Sequence, residues 1–382
     1  MDEVITLAKE LVQIESTNPG TGESKIREYI KEYLKDSKIE ILEEEALVGR
    51  KNLIATIPGI EQGPMLVLLC HMDTVVVEKN WTKEPFGGEI KDGKLYGRGS
   101  CDMKSGLACA LSLFRKTAKE VTEGKRKLKH PFRLICTVDE EGNMEGVEHI
   151  ISMGYVKQED YVMDLEPTDG QIQMAHKGRF WICITVSGVT AHASRPEQGK
   201  DAIAAAAALI YSMKNSFTKL PAHPEMGPST ITFGQIQGGY QPYVVPDLCK
   251  IWIDCRLSPP VTDETVLQLL KQGIEKAKDM VPGIGIEYCI TGNRPYIEKN
   301  EESPFFLGLQ NAVVKVTGKK LNAEVFTGYT DSAVIAGILK NQNCLSYGPG
   351  SLNQAHKPDE YVLLSDIERC VKVLAALIDE ML

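Results

Sequence analysis

Seven residues of this chain are of types that hold metal or move protons, and each follows an apolar run: His71, Asp73, Asp102, Glu140, Glu141, Glu166 and His356. His71 and Asp73 close the run Met65-Leu66-Val67-Leu68-Leu69-Cys70, and strand alternation puts both on one side of its carboxyl end. Asp102 sits in a glycine-rich turn, Gly97-Arg98-Gly99-Ser100-Cys101-Asp102. Imidazole nitrogen and carboxylate oxygen are zinc ligands, and a catalytic zinc keeps one position open for water. Two neighbouring zincs need a carboxylate to bridge them, and the pair then clamps the attacking and leaving oxygens. Two imidazoles, three carboxylates and spare acids suit that arrangement. At a strand end, one of Glu140 and Glu141 can hold metal while the other faces the water as general base. Each segment alone has a plainer reading: His-x-Asp as a capped strand end, the glycine turn as a phosphate loop, Asp-Glu-Glu as a solvated acidic loop. The glycine turn lacks the spacing of a dinucleotide fingerprint, and no Gly-Lys-Ser/Thr follows it.

The elements that must position these residues alternate. Leu7, Leu11 and Ile14 mark an amphipathic opening helix, and Ile26, Tyr29, Ile30 and Leu34 a second. Strands are expected at Ile39–Leu42, Asn52–Ile57, Met65–Cys70 and Phe132–Val138, with a helix from Leu107 to Phe114 between the last two. Such alternation predicts an α/β fold with a mostly parallel sheet and helices on both faces. Ligands of such sheets bind outside the carboxyl ends of the strands. From about Lys177 to Ile290 the pattern becomes β-α-β-β-α-β, which predicts an inserted ferredoxin-like α+β unit. The expected division is 1–176, an inserted 177–292, and 293–382. Exposed edges of the insert make a homodimer through it the expected assembly.

The chain's 382 residues are enough for two cores, and a formal net charge of −9 argues against nucleic acid or anionic membrane as the main partner. The amino terminus shows no secretion signal, and no apolar run is long enough to span a bilayer. The ten cysteines include no Cys-x-x-Cys pair. The expectation is free thiols and a reducing, cytoplasmic setting. Cys101 stands beside Asp102, but packing under the turn is favoured over a catalytic thiol.

Five separated segments, in order, resemble the zinc-dependent family of acetylornithine deacetylases, succinyl-diaminopimelate desuccinylases, aminoacylases and glutamate carboxypeptidases. They are His71-Met72-Asp73-Thr74-Val75, Gly97 to Lys104, Asp139-Glu140-Glu141-Gly142, Glu166-Pro167-Thr168, and Gly348 to His356. The resemblance covers essentially the whole chain. It implies a zinc exopeptidase-like fold with a lid and dimerisation insert, and two zinc ions, with cobalt or manganese able to substitute. It implies His71 and Glu166 on one zinc, Glu141 and His356 on the other, and Asp102 bridging, with Asp164 in reserve for Glu166. Asp73 would orient His71, as metal-bound histidines require. Glu140 would take a proton from the attacking water and pass it to the leaving amine. The family also tends to a strained peptide after the bridging aspartate, here Asp102-Met103.

In the insert, Ser187 to Pro196 resembles the lid segment whose histidine reaches a partner's active site and stabilises the oxyanion, which makes His192 the candidate. Family members bind the substrate carboxylate with arginine; Arg294 is the first choice, and Arg256 is read as holding the insert's own edge. His130, His149 and His223 match no motif, and His176 is read as a junction residue. The Gly348–Glu360 segment and Ala175-His176-Lys177-Gly178 look most like the acetylornithine deacetylase branch. Gly328-Tyr329-Thr330-Asp331-Ser332-Ala333 lacks the arginine that desuccinylases carry two residues past the aspartate, and Tyr243 stands where an asparagine is common. The leading expectation is a two-zinc hydrolase of N-acyl-amino acids. A dipeptidase, carboxypeptidase or desuccinylase of the same family is the alternative, and a metal-free binding relative is the rival from outside enzymes.

Overall fold

The computed structural model describes residues 2–326 and 328–382, which form two compact units. The first runs to Ala175 and resumes over Glu298–Phe326 and Thr330–Leu382; the second takes in His176–Ile297 and the short return through Tyr329. In chain order the longer strands are β1 (Ile41–Leu47), β2 (Arg50–Ile57), β3 (Leu66–His71), β4 (Phe132–Thr137), β5 (Tyr161–Asp164), β6 (Ile172–His176), β7 (Gly178–Ser187), β8 (Thr230–Gly238), β9 (Leu248–Leu257), β10 (Gly285–Arg294), β11 (Ala323–Phe326) and β12 (Cys344–Ser346).

The first unit is built on an eight-stranded sheet ordered β1-β2-β4-β3-β5-β12-β6-β11. Its centre, β4-β3-β5-β12, is parallel, and β1–β2, β2–β4 and β12–β6 pair antiparallel. All six residues of β3 are buried, as expected of a strand covered on both faces. Helix Ser105–Thr122 lays Leu107, Leu111 and Phe114 on the sheet, and Phe114 meets Phe132 of β4 at 5.3 Å between ring centroids. Each fully buried leucine or phenylalanine there contributes roughly 1.5–3 kcal/mol. Helix Pro304–Thr317 shows how locally the sequence writes its elements. Ser303 accepts the N–H groups of Phe305 and Phe306, Pro304 occupies the first turn, and Gly318 closes the helix at φ 72°.

β1 extends beyond the expected Leu42 through Glu43, Glu44 and Glu45. Three acids disfavour a strand on propensity, but this one lies at the sheet edge, where Glu45 faces Lys51 and Glu43 pairs with Lys51 at 3.2 Å. The second unit has the expected β-α-β-β-α-β order: β7, helix Ala202–Phe217, β8, β9, helix Asp263–Met280 and β10. Its antiparallel sheet is ordered β8-β9-β7-β10. Phe180, Ile182, Ile184 and Val186 of β7 join Leu209, Met213, Leu270 and Ile274 of the helices in a separate core. No helix among the described residues is long and apolar enough to cross a membrane.

Candidate active site

β3 delivers His71 at its last position, buried to 2% exposure. Its Nδ1 lies 2.8 Å from the carbonyl oxygen of Asp73. A carbonyl only accepts, so Nδ1 carries a proton, which leaves Nε2 as the nitrogen a metal would take. That nitrogen lies 3.1 Å from Asp102 Oδ1 and 3.8 Å from Glu166 Oε1. The other oxygen of Asp102 lies 3.4 Å from His356 Nε2, which is 3.1 Å from Glu141 Oε1. Asp102 therefore shows one oxygen to each histidine, with Glu166 on one flank and Glu141 on the other. Ligand atoms of His71, Asp102 and Glu141 all fall within 4.8 Å of one another.

The turn carrying Asp102 is held by a residue far away in sequence. Glu360 accepts the N–H groups of Cys101 (2.8 Å), Asp102 (3.0 Å) and Gly99 (3.1 Å), and Arg98 Nη1 at 2.7 Å. Gly99 has φ 82°, and a Cβ there would stand 2.6 Å from Thr74 Cγ2. The Asp102–Met103 peptide is cis. Gly348 lets the His356 loop pass beside the strand end that carries Glu166: a Cβ would lie 2.3 Å from the Leu165 carbonyl oxygen.

Asp73 touches His71 through its backbone. Its buried carboxylate accepts the N–H of Glu140 and of Glu141, both at 3.2 Å, and Asn18 Nδ2 at 2.8 Å. Asn18 also donates to Asp139, which Arg50 pairs at 2.9 Å. Asp73 thus sets the turn that presents the two glutamates. Asp164 is engaged elsewhere, accepting the Ser332 amide at 3.1 Å. Cys101 is buried and its Sγ donates to the Ser351 carbonyl at 3.2 Å, while burial pushes its thiol well above the ordinary range. Asn18 and Glu360 escaped the sequence reading, because nothing local marks a contact made across 55 or 258 residues.

Charge explains what the cluster wants. Burial, the Asp102 charge and neighbouring acids push the Glu166 carboxyl well up, and Glu140 is raised by burial and by Glu141. Burial favours a neutral His71, yet Asp102, Glu166 and Glu140 outweigh it and raise its pKa well above the ordinary value. Hydrogen bonds with Asp102 and Glu141 lift His356 to about 11. Crowded carboxylates raise one another's pKa because the anions repel, and a multivalent cation relieves that repulsion. The donor set of two imidazoles and three carboxylates, with the His71 tautomer already set, fits zinc or a similar divalent ion.

His192 and Arg294 belong to the second unit. His192 is exposed on a loop tied by Ala193 N–H to the Tyr243 carbonyl and Val245 N–H to the Ala191 carbonyl. The Ser194 N–H donates to its Nδ1 at 3.2 Å, so the proton of the neutral ring sits on Nε2. Arg294 ends β10 in register with Arg179 of β7, which is in register with Arg256 of β9. Arg256 is paired within its own strand to Asp254 at 2.8 Å, and Arg179 stacks 4.0 Å over the Trp181 ring.

The chain matches the family model described as peptidase family M20/M25/M40 over residues 67–380. The acetylornithine deacetylase of Photorhabdus laumondii is 30% identical over 350 residues, covering 90% of this chain and 86% of that protein. Among solved structures, the aminopeptidase PepT of Bacillus cereus superposes with a TM-score of 0.79 at 23% identity, covering 100% of this chain and 98% of that one. The Bacillus subtilis YXEP protein, a dinuclear metal binding peptidase, superposes at 0.74 with 17% identity, covering 99% and 96%.

Proposed function

The chain belongs to peptidase family M20/M25/M40, and on that premise we propose a two-zinc hydrolase that deacylates an N-acyl-amino acid, in the manner of acetylornithine deacetylase. The family makes it an amidohydrolase or peptidase. The observation that carries the metal chemistry is Asp102, whose two oxygens face His71 Nε2 and His356 Nε2 separately. His71 and Glu166 would hold one ion, Glu141 and His356 the other, and Asp102 both. When bound, such a pair polarises a carbonyl and lowers the pKa of water.

The chain's own groups do the rest. Glu140 stands beside Glu141 on the turn that Asp73 fixes, close to the cluster without being needed as a ligand. Its carboxylate takes the proton of the attacking water and returns it to the departing amine nitrogen. His192, with its proton on Nε2, is a donor for the oxyanion that forms at the amide carbonyl. Arg294 binds the substrate carboxylate; the neighbouring Arg179 raises the positive charge there, which strengthens the hold on that carboxylate. The segment after Asp331 weakens the desuccinylase reading, since Ala333 supplies no guanidinium two residues past that aspartate, and it leaves room for a dipeptidase or carboxypeptidase.

Chelator-sensitive hydrolysis tests this directly, with N-acetylornithine, N-succinyl-diaminopimelate, N-acetylmethionine and dipeptides at matched zinc. Preference for N-acetylornithine is the expected result. Preference for dipeptides would keep the two-metal site and transfer the substrate to a peptidase reading. Hydrolysis unaffected by chelator, or no zinc bound, would overturn the metal assignment.

A further inference from the structure

Cys183 of β7 and Cys289 of β10 are direct cross-strand partners. Along β7, Ile182, Ile184 and Val186 are buried against the helices, while Cys183 alternates with them onto the open face and is half-buried. Cys289 is exposed, on the edge strand of the sheet. Opposite residues of an antiparallel pair have Cα atoms about 4.5–5.5 Å apart, inside the roughly 4.4–6.8 Å that a disulfide spans. The pairing therefore places the two sulfurs within reach of one bond. Cys70 and Cys136, which also face each other, across β3 and β4, are sealed from solvent. Burial, and then the facing Cys289, hold the Cys183 thiol above its ordinary range.

We propose that Cys183 and Cys289 form a vicinal dithiol that low-molecular-weight disulfides oxidise, a modification site on the open face of the second unit's sheet. The exposed Cys289 loses its proton and its thiolate attacks one sulfur of the small disulfide. That sulfur–sulfur bond breaks, one small thiolate leaves and takes up the proton, and a mixed disulfide remains on Cys289. Cys183 then loses its proton and attacks Cys289 Sγ, expelling the second small thiol. Two protein thiols and one small disulfide become one protein disulfide and two small thiols. The product staples the strand that opens the unit to the strand that closes it, so it restricts the unfolded chain over nearly the whole unit.

The experiment is incubation of the full-length protein with oxidised glutathione, followed by non-reducing peptide mapping and thermal unfolding. The wild type is expected to yield a Cys183–Cys289 linked peptide two hydrogens lighter, with no glutathione retained. The second unit's unfolding temperature should rise by roughly 3 °C or more, reversed by dithiothreitol. Cys183→Ser should stop at glutathione held on Cys289, with no thermal gain, and Cys289→Ser should take up none at Cys183. A wild type that keeps glutathione on Cys289 beside a free Cys183, or that leaves both thiols unreacted, would overturn the proposal. So would uptake at Cys183 in Cys289→Ser at the wild-type rate.

Discussion

Glu140 and Glu141 are neighbours with the same side chain, and their difference lies in what surrounds them. Glu141 Oε1 is 3.1 Å from His356, while Glu140, on a turn whose amides Asp73 receives, is the residue proposed to move the proton. Removing a group that only moves protons should spare the metal. Glu140→Ala is expected to lower kcat by about 10²–10⁴ with two zincs per chain still bound. His356→Ala should lose both rate and metal, because its nitrogen faces Asp102 Oδ2 at 3.4 Å and Glu141 Oε1 at 3.1 Å. Metal content measured beside kcat separates the two. A near-normal rate in Glu140→Ala would remove it from the role of base, whatever the metal content.

At the scale of elements, the site was legible where one segment both ends a strand and carries the reactive group. β3 followed by His71 and β4 followed by Glu140-Glu141 could be read directly, because a buried run announces itself by composition. The supports were not legible, since they act across the fold. Glu360 receives four donors of the Asp102 turn from a position that looks like an ordinary acid before a short strand. The same holds for β1, where an acidic run reads as loop until its basic partner strand is known. Glu360→Gln keeps the shape but turns an amide against N–H donors, leaving buried donors unmatched. The loss expected is about 1–3 kcal/mol of stability. Zinc affinity should also weaken about 10–100-fold, because Asp102 is no longer held. Isothermal titration with zinc and a denaturant melt measure the two losses. Unchanged zinc affinity would show that the turn holds its shape without Glu360.

Across the whole molecule, the two units should answer to different agents. All five candidate ligands lie in the first, so EDTA should act on its unfolding transition. Each zinc at a hundredfold excess over its Kd stabilises by about 2.7 kcal/mol, so chelating the pair should lower that transition by about 10–20 °C. Acid, by contrast, should find the second unit through His176. That ring is 2% exposed, edge-on to Tyr329 at 5.9 Å, and burial pulls its pKa from 6.5 down to about 4. Between those values the unfolded chain takes a proton that the folded chain refuses. Stability is therefore full above pH 6.5, falls as pH drops through the window, and levels off below about pH 4. The cost reaches about 3 kcal/mol at the acid end. Other carboxyls titrate in the same range, so the quantity to measure is a difference: urea melts of the wild type and His176→Asn from pH 7 to 4. The variant starts lower, having lost the ring's packing, and the gap should close by about 3 kcal/mol as the pH falls. Parallel curves would mean that His176 is protonated in the folded protein and that its burial imposes no acid penalty.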